Sequence, residues 1–179
     1  MKISVLIIGF ILNGWAVVSP AMAEKNASND LSPGFQLQAA DDSEVTLADY
    51  RGNYVLLAFG FTHCEHICPM IAANIARALK ATDEDAVGIF ISVDSERDTP
   101  AITAAYASRF GESMVGLSGS YSQLAMAARS FKATFVVTKS QDSYTVQHTP
   151  SIFLLGPNGM LIDSFAMNTP IDTIVAAMR

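Results

Sequence analysis

Residues 54–69 read Tyr54-Val-Leu-Leu-Ala-Phe59-Gly-Phe-Thr-His-Cys64-Glu-His-Ile-Cys68-Pro69. The segment begins with a continuous apolar run, which has the length and character of a strand that is buried on both faces of a sheet. A loop is predicted over 60–69, and the spacing of apolar residues predicts a helix over 70–81. Both cysteines therefore follow a predicted central strand directly, at the position where open α/β sheets place their functional sites.

The flanking segments continue the alternation of strands and helices. Further strands are predicted over 87–93 and 114–117, helices over 98–110, 121–131 and 169–178, and hairpins over 135–146 and 152–165. A shorter hairpin is predicted around Asp41 and Asp42, near the start of the domain. This order predicts an α/β protein with a thioredoxin-like fold, in which helices flank a mixed central β-sheet and a β-hairpin precedes it.

The first 32 residues have a different composition from the rest. Residues 1–23 carry one charge, Lys2, then an apolar run that ends before Ala21-Met22-Ala23. This pattern predicts a signal peptide cleaved after Ala23, followed by a flexible leader over 24–32 and a single domain over 33–179. An uncleaved anchor is the alternative, although the run is shorter than the ~20 apolar residues of a spanning helix. We therefore expect a periplasmic or otherwise exported protein, attached to a membrane only if this segment is retained.

The charge balance limits the classes of partner. The chain has 11 Lys and Arg against 17 Asp and Glu, which gives a net charge of −6. Nucleic acids and anionic membrane surfaces attract basic patches, so neither is an expected partner.

The chain has only two cysteines, Cys64 and Cys68. A single close pair does not staple a scaffold, because the closed loop would be very short. On a helical turn the two thiols share one face, so they can form a redox-active disulfide or bind one metal ion. Two soft thiolates suit copper(I), whereas a structural zinc site normally needs four protein ligands. In a thioredoxin-like fold the loop that contains His148 packs against the cysteine loop, which predicts a trigonal site of two sulfurs and one imidazole.

Other polar and sulfur-containing side chains have predicted roles of their own. His66 is an alternative ligand, or an imidazolium that lowers the cysteine pKa values, or an exposed loop histidine. His63 is expected to be structural. Asp94, Arg97 and Asp98 are expected to cap a helix and form ion pairs rather than support the site. Core filling is the expected role of five methionines, Met70, Met114, Met126, Met160 and Met167.

Four motifs identify a resemblance that extends over nearly all of the chain after residue 23. They are Leu47-Ala-Asp-Tyr-Arg-Gly-Asn-Tyr-Val-Leu-Leu-Ala-Phe-Gly-Phe-Thr-His-Cys64 with Cys68-Pro69, Phe90-Ile-Ser-Val-Asp-Ser-Glu-Arg-Asp-Thr-Pro100, Tyr144-Thr-Val-Gln-His148 and Gly156-Pro-Asn-Gly159. Together they resemble the Sco/SenC copper proteins of cytochrome oxidase assembly. The resemblance implies copper binding through Cys64, Cys68 and His148. It also implies a copper metallochaperone that delivers copper to the dinuclear copper site of a respiratory oxidase subunit, or reduces the thiols of that site.

The chain departs from the family pattern at three places. Glu65-His66-Ile67 stands where the family usually has Pro-Asp-Val, and Gln147 stands where it usually has Asp. Pro150 follows the histidine, at the position where thioredoxins have a cis-proline that holds the backbone beside the sulfurs. Two alternatives to the metallochaperone therefore remain: a thiol–disulfide oxidoreductase that uses Cys64 and Cys68, and a copper or redox sensor module. The partner is then another copper or thiol protein.

Overall fold

The computed structural model describes residues 33–179. The predicted signal peptide (1–23) and leader (24–32) lie outside the described residues. The strands of this part of the chain are β1 (Gln36–Gln38), β2 (Glu44–Thr46), β3 (Tyr54–Gly60), β4 (Ala86–Ser92), β5 (Met114–Leu117), β6 (Phe135–Lys139), β7 (Tyr144–His148), β8 (Ser151–Leu155) and β9 (Leu161–Ala166). The α-helices are α1 (Ile67–Ala81), α2 (Pro100–Ala107), α3 (Tyr121–Ser130) and α4 (Ile171–Ala176).

Five strands form a mixed sheet in the order β5-β4-β3-β8-β9. Strands β3, β4 and β5 run parallel, and β8 and β9 continue the sheet through antiparallel pairs. The apolar run predicted as a central strand is β3, in which Leu57 lies between Ile89 of β4 and Phe153 of β8. The predicted mixed sheet is confirmed.

Alternate residues of β3 supply two separate apolar cores. Leu56 and Ala58 pack on the side of α1, α2 and α4, together with Cys68. Leu57 and Phe59 face the opposite side, where α3 and the N-terminal hairpin of β1 and β2 cover the sheet. Because both faces of the central strand are covered, a continuous apolar run is the pattern that this position requires.

Gly60, at the end of β3, connects the sheet to the cysteine segment. A Cβ at this position would lie 2.6 Å from Cε2 of Phe90 and 3.2 Å from Sγ of Cys68. The first of these separations is shorter than a real Cβ contact. Glycine therefore allows the buried cysteine to pack directly against the end of the central strand.

Helix boundaries account for most of the differences from the sequence prediction. Helix α1 begins at Ile67 rather than Met70, so Cys68 lies in its first turn. Helix α2 is capped by Thr99, whose hydroxyl accepts from the amide of Ile102, and the predicted capping role of Asp98 is wrong. Helix α4 is shorter than predicted and has Pro170 at its N-cap. Capping depends on backbone direction at one residue, and neighbouring Asp and Thr are equally plausible caps in sequence.

The methionine prediction is only partly right. Met114 is buried, whereas Met70, Met126 and Met160 have 43%, 66% and 39% of their surface exposed. Their apolar spacing did not distinguish a core position from an outer helix or turn position. Within residues 33–179, every helix is too short or too polar to cross a bilayer.

The hairpin of β6 and β7 forms a two-stranded sheet of its own, outside the central sheet. It extends two residues further than predicted, so that His148 is the last residue of β7 and pairs with Phe135. Strand β8 starts only three residues later, at Ser151. This short connection fixes the end of the hairpin beside the central sheet, next to the cysteines.

Candidate metal centre

The cysteines lie in the loop after β3 and in the first turn of α1. A turn closes when the amide of Cys64 donates to the carbonyl of Phe61 at 3.3 Å. The amide of Cys68 then donates to Sγ of Cys64 at 3.4 Å. Both thiols are free; Cys64 is partly exposed, whereas Cys68 is fully buried. The two sulfurs therefore have different access to solvent.

His148 lies next to the buried cysteine. Its Nε2 is 3.2 Å from Sγ of Cys68, and its Nδ1 is 3.1 Å from the carbonyl oxygen of Thr149. Because only a protonated nitrogen can donate to that carbonyl, the network assigns the proton to Nδ1 and leaves Nε2 as an acceptor for the Cys68 thiol. The Phe61 ring meets the imidazole edge-on, with centroids 6.0 Å apart. The ring is therefore held with its unprotonated nitrogen toward the sulfur.

The two thiols differ in acidity. Burial acts to raise the pKa of Cys64, but hydrogen bonds that include those from the amides of Cys68, His66 and Ile67 outweigh it, so this pKa is lowered. Burial raises the pKa of Cys68 to about 12. Cys64 is thus the first thiol to become a thiolate and the one that a reaction partner can reach.

Burial also lowers the pKa of His148, and the hydrogen bond with Thr149 only partly opposes it. The imidazole is therefore neutral near pH 7, which is the state that binds metals. A metal-bound histidine typically donates its other ring N–H to a carbonyl or carboxylate, and here Thr149 already accepts that bond. The lone pair of His148 and the two sulfurs form a set of one nitrogen and two soft donors, which suits copper(I).

The other two histidines lie at the rim of the site. The side chain of His66, at the N-cap of α1, is exposed and makes no hydrogen bond or ion pair with residues 33–179. His63 is also exposed, with Nδ1 3.3 Å from Oδ1 of Asp98 and 3.2 Å from Oγ1 of Thr62. The structure thus brings His148 to the thiols, whereas His66 points to solvent.

Asp98 supports the cysteine loop, a role ranked below a helix cap or an ion pair in the sequence prediction. The predicted cap is wrong, whereas a contact of the ion-pair type with His63 is present. Its buried carboxylate accepts hydrogen bonds from the amide and hydroxyl of Thr62 at 2.7 and 2.6 Å, and from the hydroxyl of Ser92 at 2.6 Å. Thr62 and Ser92 were not singled out in the sequence. A run of small polar residues after two strands gives little indication of which carboxylate they will meet.

Asp94 holds a second set of polar contacts. It accepts a hydrogen bond from the hydroxyl of Tyr144 at 2.6 Å and pairs with the guanidinium of Arg97, as the ion-pair expectation proposed. Burial acts to raise the pKa of Asp94, but the bonds from Tyr144 and Arg97 lower it overall, so the carboxylate stays ionised. His63, Asp94 and Asp98 also bring possible ligand atoms within 4.8 Å of one another. Both carboxylates already accept several hydrogen bonds, so this cluster is a polar support.

Sequence reasoning noted Tyr144 only as part of a motif. The role of Tyr144 could have been inferred from the two-residue period of β7. This period places Tyr144, Val146 and His148 on one face of the strand. All three are partly buried, while Thr145 and Gln147 are exposed. All peptide bonds in residues 33–179 are trans, including the one before Pro150, so this proline does not have the cis geometry found in thioredoxins.

Comparisons with known proteins agree with this architecture. An SCO1/SenC family profile matches residues 23–179. Protein SCO1 homolog 1, mitochondrial, from Arabidopsis thaliana is 34% identical over 145 residues, which are 78% of this chain and 43% of the relative. The chain spans about half the length of the curated relatives it matches.

Solved structures show the same fold. The crystal structure of Arabidopsis thaliana ScoI with copper bound is 33% identical, with a TM-score of 0.72, and the match covers 82% of this chain and 94% of that one. BsSco, a member of the Sco family of cytochrome c oxidase assembly proteins, is 32% identical, with a TM-score of 0.61 and coverage of 81% and 89%. The predicted thioredoxin-like fold and the predicted family are therefore confirmed, and this chain belongs to the SCO1/SenC family.

Proposed function

We propose that this protein is a Sco-type copper metallochaperone that carries copper on Cys64, Cys68 and His148. The observation that carries the proposal is the 3.2 Å separation between Nε2 of His148 and Sγ of Cys68, because it joins two distant segments into one donor set. The copper bound to the Arabidopsis relative and the oxidase-assembly role of the BsSco family support the same assignment.

Copper is the cargo of this site, and the protein's own groups manage its uptake and release. Uptake of copper(I) displaces the two thiol protons, and the Cys68 proton leaves from the position where it bonds to His148. A disulfide between Cys64 and Cys68 would remove both thiolates, so only the reduced form binds the ion. Cys64 is the more exposed sulfur, and we expect an incoming ligand of the acceptor to displace it first.

The proposed acceptor is the copper-binding subunit of a respiratory oxidase. The proposed place of action is an exported compartment, reached through the signal peptide predicted over 1–23. Determination of the mature N-terminus tests the second point, since cleavage after Ala23 leaves Glu24 as the first residue. A mature protein that begins at Met1 would contradict cleavage and favour a retained anchor.

Copper analysis of anaerobically purified protein tests the main proposal. With reductant, we expect about one copper ion per chain; after oxidation of the two thiols, we expect almost none. His148→Ala should lose most of the affinity, and Cys64→Ser and Cys68→Ser should lose it as well. His66→Ala is the matched control, because it removes a nearby but exposed imidazole. Equal effects of the two histidine variants would contradict the ligand assignment.

A thiol–disulfide oxidoreductase is the second candidate, and the asymmetry of the two thiols favours it. Cys64 is partly exposed and has a lowered pKa, as suits the attacking thiol, while buried Cys68 suits the resolving role. In such a reaction the Cys64 thiolate attacks a client disulfide, and Cys68 then displaces the client thiol as the Cys64–Cys68 disulfide forms. A reduction potential of the Cys64–Cys68 pair too high for it to reduce a disulfide-containing client peptide would exclude this activity.

A further inference from the structure

The loop over residues 93–99, between β4 and α2, contacts both segments that carry the proposed ligands. Asp98 binds the cysteine loop through Thr62, and Asp94 binds the histidine hairpin through Tyr144. Both carboxylates are almost completely buried, with 1% and 0% of their surface exposed. Buried carboxylates that accept several charge-assisted hydrogen bonds hold their partners in a defined place.

Tyr144 of the hairpin is held at two points by the 93–99 loop. The Tyr144 hydroxyl donates to Oδ1 of Asp94 at 2.6 Å, and the Arg97 guanidinium lies 3.9 Å from the centroid of the Tyr144 ring. Arg97 also pairs with Asp94, so the tyrosine is held by its hydroxyl and by one face of its ring. An exposed pair between Lys139 and Glu96 lies beside these contacts at the end of the hairpin.

Tyr144 and His148 lie at opposite ends of β7. Four residues of extended strand separate their Cα atoms by roughly 13 Å, and both side chains lie on the same face. The hairpin pairs with no strand of the central sheet, so its position depends on side-chain contacts. Phe135 and Val146 pack against the apolar core on the α3 face, and Tyr144 bonds to Asp94 at the end of β7 far from His148. Anchoring of the far end therefore restricts the motion of the imidazole at the near end.

We infer that Asp94 and Asp98 form a two-armed bracket that positions the two ligand-bearing segments separately, and that Tyr144 is the positioning residue for His148. The Asp98 arm holds the cysteine loop, and the Asp94 arm holds the hairpin. The copper part of this inference rests on the proposed function, whereas the effect on the metal-free hairpin does not.

Tyr144→Phe is the sharpest test, because it keeps the ring under Arg97 and removes only the hydroxyl that bonds to Asp94. Tyr121→Phe is the matched control: Tyr121 also touches the hairpin, through a ring contact with Phe135 at 5.5 Å, but its exposed hydroxyl makes no hydrogen bond with residues 33–179. The first measurement is amide hydrogen exchange across residues 135–148 in reduced, copper-free protein. We expect exchange to be about tenfold faster in Tyr144→Phe and unchanged in Tyr121→Phe.

The second measurement is of copper binding. Copper(I) affinity, measured by competition with a chelator, should fall several-fold in Tyr144→Phe, and the nitrogen hyperfine signal of the copper(II) form should weaken. The alkylation rate of Cys64 in the metal-free protein should not change. Thr62→Val tests the other arm, since it should alter Cys64 alkylation several-fold without changing exchange in the hairpin.

Wild-type exchange in the hairpin of Tyr144→Phe would overturn the bracket. So would equal effects of the two Tyr→Phe variants, or faster exchange with unchanged copper affinity and nitrogen signal. If the wild-type protein binds no copper while Tyr144→Phe still frees the hairpin, the proposed function fails and the mechanical role of Tyr144 stands.

Discussion

The two halves of the candidate site are built differently. Cys68 belongs to the apolar core on one face of the sheet, packed with Ile71 and Phe90. His148 belongs to a hairpin that is partly exposed along its length and pairs only with itself. The core thus determines the environment of the thiols, while the contacts of the hairpin, apolar at Phe135 and Val146 and polar at Tyr144, determine whether the imidazole reaches them. We expect changes at the two halves to separate thiol chemistry from metal binding.

Removal of the imidazole should have the largest effect. His148→Ala should lower copper(I) affinity at least about a hundredfold, because loss of a ligand exceeds the 10–100-fold cost of losing a group that only orients one. The free energy of unfolding of the metal-free protein should change by less than about 1 kcal/mol, since the ring is only partly buried. Chelator competition and urea unfolding measure the two quantities. A large loss of stability with little loss of copper affinity would show that His148 serves the fold rather than metal binding.

Thiol reactivity should differ strongly within the cysteine half. At pH 8, iodoacetamide should modify Cys64 about a hundredfold faster than Cys68, because the pKa of Cys64 is lowered and that of Cys68 is raised to about 12. The preference should narrow as the pH rises toward the pKa of Cys68. Peptide mapping by mass spectrometry reads both rates. Equal rates at pH 8 would show that burial does not separate the two thiols.

Overpacking beneath the cysteines should destabilise the fold. Gly60→Ala places a Cβ 2.6 Å from Phe90 and 3.2 Å from Sγ of Cys68, so the free energy of unfolding should fall by about 1–3 kcal/mol. Gly34→Ala is the matched control, because no atom of residues 33–179 lies within 4 Å of its added Cβ. Urea unfolding compares the two variants. If Gly60→Ala is as stable as the wild type, the side chains around the cysteines can shift to accept the added methyl group despite their burial.

The exposed end of the hairpin should have the smallest effect. Lys139 pairs with Glu96, but their side chains are 48% and 54% exposed. Lys139→Ala should therefore change the free energy of unfolding by no more than about 0.5 kcal/mol and leave copper affinity unchanged. The same unfolding and competition experiments apply. A clear loss of copper affinity would show that this surface pair, rather than Tyr144, anchors the hairpin.

Much of the site could be predicted because the residue types and their short spacing in the sequence indicate its chemistry. The cysteines, four residues apart after an apolar strand, predict a reactive or metal-binding pair in any α/β sheet. His148 was found because it precedes a strand that neighbours the cysteine strand in the fold. The role of Asp98 was missed because its partners, Thr62 and Ser92, are 36 and 6 residues away in sequence. Nothing in local spacing tells a helix cap from a buried acceptor.

By itself, the amino-acid sequence determined the central strand, the order of strands and helices, and the two thiols, because apolar runs, turn residues and cysteine spacing act over short distances. Only the tertiary structure decided that His148 lies 3.2 Å from Cys68, that His66 faces solvent, and that Asp94 holds Tyr144. These contacts join residues 50 to 80 positions apart, and they form only when the packed sheet places one loop between the cysteine turn and the hairpin.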